Sequence, residues 1–433
     1  MKKFFIHTFG CQMNVYDGQR IASMLRGRGY TQTDNYTDAD IIILNTCAVR
    51  AKATDKVFSA LGRIRTEKKP DALMGIVGCV ARESGADAFR RVPELNFVLG
   101  PQSYHKLPEI LENPDSRLFN IDLGGLEKFD EMPQMDASPA VAYIPIQEGC
   151  NHCCTYCIVP YTRGREISRP FDDVMRDTIH AANTGAIEIC FLGQNVNGYK
   201  YTDENGKIYR LSDLIRATAK LDAIKRIRFT SSYPTEMTDD LIDMFRTEAK
   251  LLPFLNMPIQ SGSPNVLTKM NRPYTLDLYI DIVDKLKSAR DDVQISSDFI
   301  VGFPGETDSD FEQTLEIARR IKYINSFSFK YSPRPHTAAA LMPNQIPEKI
   351  KSARLYELDA LLNEIQREFN ESCIGRELEC LCDGTDKTGK YTIYRTPYMQ
   401  TCIVHIPTDT APQIAKIKIT AANKASLRGT VVK

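Results

Sequence analysis

Three short apolar runs in the first hundred residues, at 3–8, 41–45 and 74–77, are each followed by a turn, a cysteine and a helical pattern. Strands alternating with helices lead to a parallel sheet. Such sheets carry their ligands at the carboxyl ends of the strands. The pattern therefore gathers Cys11, Cys47 and Cys79, more than thirty residues apart in sequence, at one sheet edge. A lone free cysteine is often only a small buried side chain. Three in one topological position point to a shared ligand.

The run GCNHCCTYC supplies a second set, Cys150, Cys154 and Cys157, spaced C-x3-C-x2-C. Thiolates hold iron–sulfur clusters, and a cubane normally takes four of them. A loop that offers three leaves one iron open to a ligand that is not protein. Cys153 also lets the run be read as two abutting C-x2-C pairs. That alternative is zinc, but structural zinc usually takes well-separated pairs that let the chain wrap the ion.

A chain of 433 residues is expected to form two or three domains. Its formal net charge is zero, so any nucleic-acid site must be a local patch. The opening MKKFFIHTFGCQ is too short and polar for a signal peptide, and no run reaches membrane-spanning length. Twelve cysteines without an export signal fit metal ligation in a reducing cytoplasm, not a disulfide framework.

Residues 1–105 read as an α/β domain, and 106–139, rich in Pro, Asp and Glu, as a linker. Residues 140–375 carry six strand candidates, at 141–147, 187–192, 226–231, 254–260, 293–300 and 326–331, with helical patterns between them. Alternation places Arg226, Arg228, Thr230 and Ser232 on one face of the third. A polar inner face predicts a partial, open barrel with a wet lumen, the bland alternative being an antiparallel sheet with a solvated side. Helical segments close this unit at 341–372. Residues 376–433 switch to short β-like runs and read as a small β-barrel with a modest basic excess. There Tyr391, Tyr394 and Tyr398 interleave with Arg395, a pattern compatible with stacking on unpaired bases. Arg63, Arg65, Lys68 and Lys69 read as a solvated helix face with some prospect of touching phosphate.

The motifs FGCQMN, LNTCAVR, GIVGCVA and GCNHCCTYCIVPYTRGREISRP, with FLGQNVN, TSSYP, MPIQSGS, KMNRPYT and DFIVGFPGET downstream, resemble the radical S-adenosylmethionine (SAM) methylthiotransferases. GCQMN resembles the tRNA branch that makes 2-methylthio-N6-isopentenyladenosine. The resemblance implies an N-terminal parallel-sheet domain, a (βα)6 radical SAM barrel and a C-terminal TRAM-like RNA-binding barrel. It implies two 4Fe–4S clusters, on Cys11, Cys47, Cys79 and on Cys150, Cys154, Cys157, with SAM at the loop cluster. By the same resemblance Tyr156, Gln194, Asn195, Arg228, Ser232, Gln260, Asp298 and Glu306 are candidate SAM contacts.

The implied activity inserts sulfur and a methyl group at C2 of N6-isopentenyladenosine, at position 37 beside the anticodon. A 5′-deoxyadenosyl radical opens the carbon–hydrogen bond. The implied partners are the tRNA anticodon stem-loop and an external one-electron donor, for a cytoplasmic monomer with no membrane partner. Methylthiolation of N6-threonylcarbamoyladenosine or of a ribosomal-protein aspartate, and a non-catalytic iron–sulfur RNA-binding protein, are the alternatives. Cys153 and His336 depart from the family pattern, His336 standing where a glycine is expected. Duller readings stand beside some of these contacts. Asp298 and Arg228 can form an ion pair in the lumen, and Thr307 with Asp310 can form a capping box.

Overall fold

A computed structural model describes residues 1–48, 51–135, 137–407 and 411–432. Val49 and Arg50 of the LNTCAVR motif and Asp136 of the expected linker lie outside the described residues. The first domain runs β1 (Lys3–Thr8), α1 (Gln12–Gly27), β2 (Thr31–Gln32), β3 (Ile41–Thr46), α2 (Ala51–Glu67), β4 (Leu73–Gly78) and α3 (Cys79–Ser84). It ends with β5 (Phe97–Leu99) and β6 (Leu118–Asn120). The six strands form one parallel sheet in the order β2-β1-β3-β4-β5-β6. Every residue of β3 is buried, as a central parallel strand covered on both faces requires.

The expected linker at 106–139 differs in structure. Residues 118–120 add the last strand to the sheet, pairing Phe97 with Leu118. Beyond it, Phe129 and Met132 are buried, and their carbonyls accept hydrogen bonds from Arg20 of α1. The acidic and proline-rich composition suggested a loose connection. Its few apolar residues nevertheless dock on the first domain.

The chain continues with β7 (Val141–Pro145), then β8 (Gln147–Glu148) and β9 (Ile167–Ser168), which pair antiparallel and clasp the ends of the cysteine loop. Next come β10 (Glu188–Leu192), the ribbon of β11 (Lys200–Thr202) and β12 (Ile208–Arg210), β13 (Arg226–Phe229) and β14 (Phe254–Asn256). β15 (Gln294–Ser296), β16 (Asp298–Val301) and β17 (Phe327–Lys330) complete the set. β7, β10 and β13 form one parallel sheet. β14 pairs with β15 and β16 with β17, both parallel. The fifth expected strand is thus broken at Ser297, and its halves serve different neighbours. The result is an open, parallel partial barrel, wrapped by helices that share its apolar core.

The helix Glu348–Ser372 leads to a closed five-stranded barrel of β18 (Glu377–Thr385), β19 (Thr392–Arg395), β20 (Thr401–Val404), β21 (Ile414–Ala422) and β22 (Ser426–Val431). Its core holds Tyr394 and Tyr398, fully out of reach of a base. Arg395 is ion-paired to Asp383. The expected stacking row is therefore reduced to Tyr391, which is exposed. In the first domain Lys69 pairs with Asp40, and Lys68 caps the carbonyls of Lys69, Pro70 and Ala72 after α2. Those two lysines serve the fold, while Arg63 and Arg65 remain exposed. Among the described residues no helix is long and apolar enough to cross a membrane.

Candidate active site

The N-terminal triad is assembled by register. Thr46 pairs with Gly78 across β3 and β4, so Cys47 and Cys79 leave adjacent strand ends together. Cys11 stands at the residue just before α1, after β1. Side chains of the same motifs stitch these ends. Asn45 Nδ2 donates to the Asn14 carbonyl (2.7 Å), Asn14 Nδ2 to the Phe9 carbonyl (2.8 Å), and Thr46 Oγ1 to the Val77 carbonyl (2.7 Å). Gly10, at φ +108°, admits the closest approach, since a Cβ there would lie 2.2 Å from Cys47 Cβ.

All three thiols line a cavity of about 240 Å³, room for several water molecules. Its far wall is the second domain: Ile158 and Val159 just after the cysteine loop, Gln194 after β10, and Thr230 and Ser231 after β13. Among the described residues no His, Asp or Glu lines it. Among the described residues no three His, Cys, Asp or Glu side chains are arranged to hold a single metal ion. Three soft donors around an open volume suit an iron–sulfur cluster with one free iron.

Electrostatics favour thiolate at one corner. The hydrogen bond with Cys47, then the charge of Arg163, lower Cys11 to about 6 against the effect of burial. Burial pushes the Cys79 thiol up, and Arg163 opposes it. Arg163 itself sits in a buried four-charge network. It donates to Glu148 Oε2 (3.0 Å), lies 3.6 Å from Asp17 Oδ2, and shares both carboxylates with Lys128. Two cations balance two anions there, which a dry interior requires. The network ties α1, the former linker and the cysteine loop into one support.

The second triad sits in the loop clasped by β8 and β9. Gly149 enters it at φ +75°, where a Cβ would meet the Arg165 carbonyl at 2.1 Å. Cys150, Cys154 and Cys157 are half-buried, and Cys153 is exposed with its sulfur toward the Asn151 carbonyl. Burial pushes Cys150 up to about 12 and Cys157 up to about 11, with the neighbouring thiols adding to both. A cluster held by these thiols would therefore displace their protons on binding. Tyr156 packs edge-on against Phe303 (6.5 Å) and accepts a hydrogen bond from Arg272 (3.1 Å).

Above the loop, unmatched polar atoms mark a place for a polar ligand. Gln147 Nε2, Asn195 Oδ1, Ser232 Oγ and Tyr233 Oη are buried without partners among the described residues, each costing about 1–3 kcal/mol if left so. They cluster at the carboxyl ends of β7, β10 and β13. Asn195 Nδ2 donates to Glu166 (3.1 Å) and Glu236 (2.6 Å), and His152 lies flat on Tyr233 at 3.6 Å. Ser231 and Gln260 hold positive φ at successive strand ends, a strain that concentrates at functional sites. These features suit SAM, whose ribose, amino and carboxylate groups need such partners.

The candidate residues thus separate. Gln194 lines the cavity and accepts from the Gly149 N–H. Asn195 and Ser232 join the unpartnered group. Gln260 donates its N–H to the Asp298 carbonyl (2.9 Å) at the next strand end. Arg228 differs from expectation: its ion pair is with Glu188 (2.6 Å), which also holds Arg226 (2.8 Å). Arg226 in turn reaches carbonyls of the C-terminal barrel. Glu306 turns away into its own loop, accepting from the N–H groups of Gly302 and Phe303 and pairing with Arg354. The expected capping box of Thr307 and Asp310 is present. Sequence reasoning passed over Gln147, His152, Glu166, Tyr233 and Glu236. The quoted motifs GCNHCCTYCIVPYTRGREISRP and TSSYP hold His152, Glu166 and Tyr233, whereas Gln147 and Glu236 lie outside any of them.

Residues 3–100 match the uncharacterized protein family UPF0004, and residues 144–318 match the radical SAM superfamily. A curated protein of Rickettsia canadensis (strain McKiel), named tRNA-2-methylthio-N(6)-dimethylallyladenosine synthase, is 46% identical over 442 residues, 99% of each chain. A protein of the same name from Rickettsia felis is 45% identical over 443 residues, 100% of each. The chain belongs to the tRNA-2-methylthio-N(6)-dimethylallyladenosine synthase family. In fold it resembles the radical S-adenosylmethionine methyltransferase TsrM of Kitasatospora setae, with a TM-score of 0.58 at 13% identity over 89% of this chain and 79% of that one.

Proposed function

We infer that this chain is a transferase that places a sulfur atom and a methyl group on C2 of N6-isopentenyladenosine in tRNA, the reaction its full-length relatives are named for. We further propose position 37 as the target, two 4Fe–4S clusters, an external electron donor and a monomeric enzyme of the cytoplasm. The observation that carries the reading is the shared chamber. Thiols from the sheet and strand ends of the barrel line one cavity, beside the loop that holds the second triad.

Cys11, Cys47 and Cys79 would hold one cluster, and Cys150, Cys154 and Cys157 the other. Bound there, they supply a one-electron reductive cleavage of SAM and the sulfur to be inserted, chemistry that side chains alone lack. The chain's own part is geometric. Gln147, Asn195 and Ser232 offer unmatched polar atoms to orient SAM, while Gln194 bridges the two triads. The apolar walls from Ile158, Val159 and Leu192 exclude water from a reactive intermediate.

The test is anaerobic reconstitution followed by incubation with tRNA that carries isopentenyladenosine but no methylthio group. About eight irons per chain are expected, from two four-iron clusters, and nucleoside mass spectrometry should find the 2-methylthio product. Product on threonylcarbamoyladenosine alone would move the enzyme to another branch. Absence of SAM cleavage under reduction would mark a non-catalytic RNA-binding protein.

A further inference from the structure

Arg272, 6% exposed, lies behind the cysteine loop. Its Nε donates to Tyr274 Oη (2.8 Å), and Nη2 to the Pro258 carbonyl (2.7 Å). Nη1 serves Tyr156 Oη (3.1 Å) and faces Cys154 Sγ at 3.8 Å. The guanidinium carbon stands 4.6 Å from the ring centre of Tyr233 and 5.3 Å from that of Tyr274. Among the described residues, buried Arg20 also lacks a carboxylate, but its partners are Tyr16 and two backbone carbonyls and include no thiol; three other buried arginines are set differently. Arg163, Arg228 and Arg354 are each ion-paired to a glutamate. The groups that act most on the Arg272 charge are three tyrosines and Cys154.

A buried cation without a carboxylate is costly unless an anion arrives. Among the described residues, the only thiol its fork reaches belongs to the loop triad. We propose that Arg272 is a positioning residue that supplies the counter-charge of the loop's cluster and, through Cys154, raises its reduction potential. The proposal rests on the reading that Cys150, Cys154 and Cys157 hold a cluster. Reduction adds one electron, from an external reductant, to a site of low dielectric. A fixed cation beside a ligand sulfur favours the more negative form. An N–H directed at that sulfur acts in the same sense. Tyr156 and Tyr274 fix the plane of the fork, and Tyr233 supplies a face on which it rests. Lysine, a compact charge, cannot reproduce that geometry.

The experiment uses full-length protein with Cys11, Cys47 and Cys79 replaced by Ala, so that only the loop contributes a spectroscopic signal. Arg272→Met and Arg272→Lys are added, and reduced cluster is counted by electron paramagnetic resonance at fixed poise with dithionite and mediators. In Arg272→Met the ratio of reduced to oxidised cluster should fall about tenfold, a shift of 59 mV for one electron. Iron content and circular dichroism should match the parent. Arg272→Lys, which keeps the charge, should stay within about threefold. An iron-loaded Arg272→Met that titrates with its parent overturns the proposal. Should that variant fail to fold, a full tenfold fall in Arg272→Lys would overturn the charge account. Absence of iron in the parent with Arg272 intact would instead overturn the reading of the loop itself.

Discussion

The two thiol triads are built in opposite ways. Cys150, Cys154 and Cys157 share one loop, closed by two ladder pairs between β8 and β9. Cys11, Cys47 and Cys79 come from three strand ends and meet only if β1, β3 and β4 keep their register. A one-residue slip would turn every side chain of β3 to the other face. The loop can therefore assemble its ligands locally, whereas the sheet-built triad is a property of a folded domain. On the proposed assignment of the sulfur donor to that sheet, sulfur insertion depends on the whole first domain.

The sharpest way to break the comparison is to remove the sheet triad. Replacing Cys11, Cys47 and Cys79 by Ala should abolish methylthiolated product while SAM cleavage to 5′-deoxyadenosine persists, since the loop is self-contained. Far-UV circular dichroism separates lost chemistry from unfolding. Product from a correctly folded triple variant would refute the donor role. The reciprocal replacement of Cys150, Cys154 and Cys157 should abolish 5′-deoxyadenosine formation and leave the first domain folded.

A gentler probe targets register without replacing a cysteine. Gly10→Ala forces a side chain into φ +108° and into contact with Cys47 Cβ. The strain costs roughly 1–3 kcal/mol, relieved by pushing the strand ends apart. The variant should lose about half of its iron, from the sheet triad, and keep reductive SAM cleavage. Iron analysis beside a cleavage assay decides it. Equal loss at both sites would mean the triads do not assemble independently.

Much of this arrangement was legible in the sequence. Period-two alternation and the cysteine positions marked both sheets, because strand ends in a parallel sheet have one topological fate. The bridging segment 106–139 misled, because docking of Phe129 and Met132 depends on partners a hundred residues away. The tyrosines of the last barrel misled for a related reason. Tyr394 and Tyr398 sit in strands or turns whose inward faces only barrel closure defines. Arg228 pairs with Glu188 and not with Asp298, the expected partner, because the pairing of β10 with β13 sets Glu188 beside it. Composition records none of these long-range choices.

Glu306 offers the smallest effect, and it tests whether the loop domain carries its own support. Burial raises its carboxyl to about 6 from an ordinary 4.5, although Arg354 and two backbone N–H groups oppose the shift. The folded state thus holds the proton more tightly than the unfolded chain. That stabilisation is fully present below pH 4.5 and is lost as pH rises through 6. The difference is on the order of 1–2 kcal/mol. Glu306→Gln keeps an acceptor for Gly302 and Phe303 but cannot titrate, so stability between pH 4.5 and 6.5 should flatten relative to the parent. Denaturant unfolding at steps of half a pH unit reads this directly. An unchanged pH slope would show that Arg354 keeps Glu306 ionised throughout, with the turn after β16 held by an ion pair that acid does not weaken.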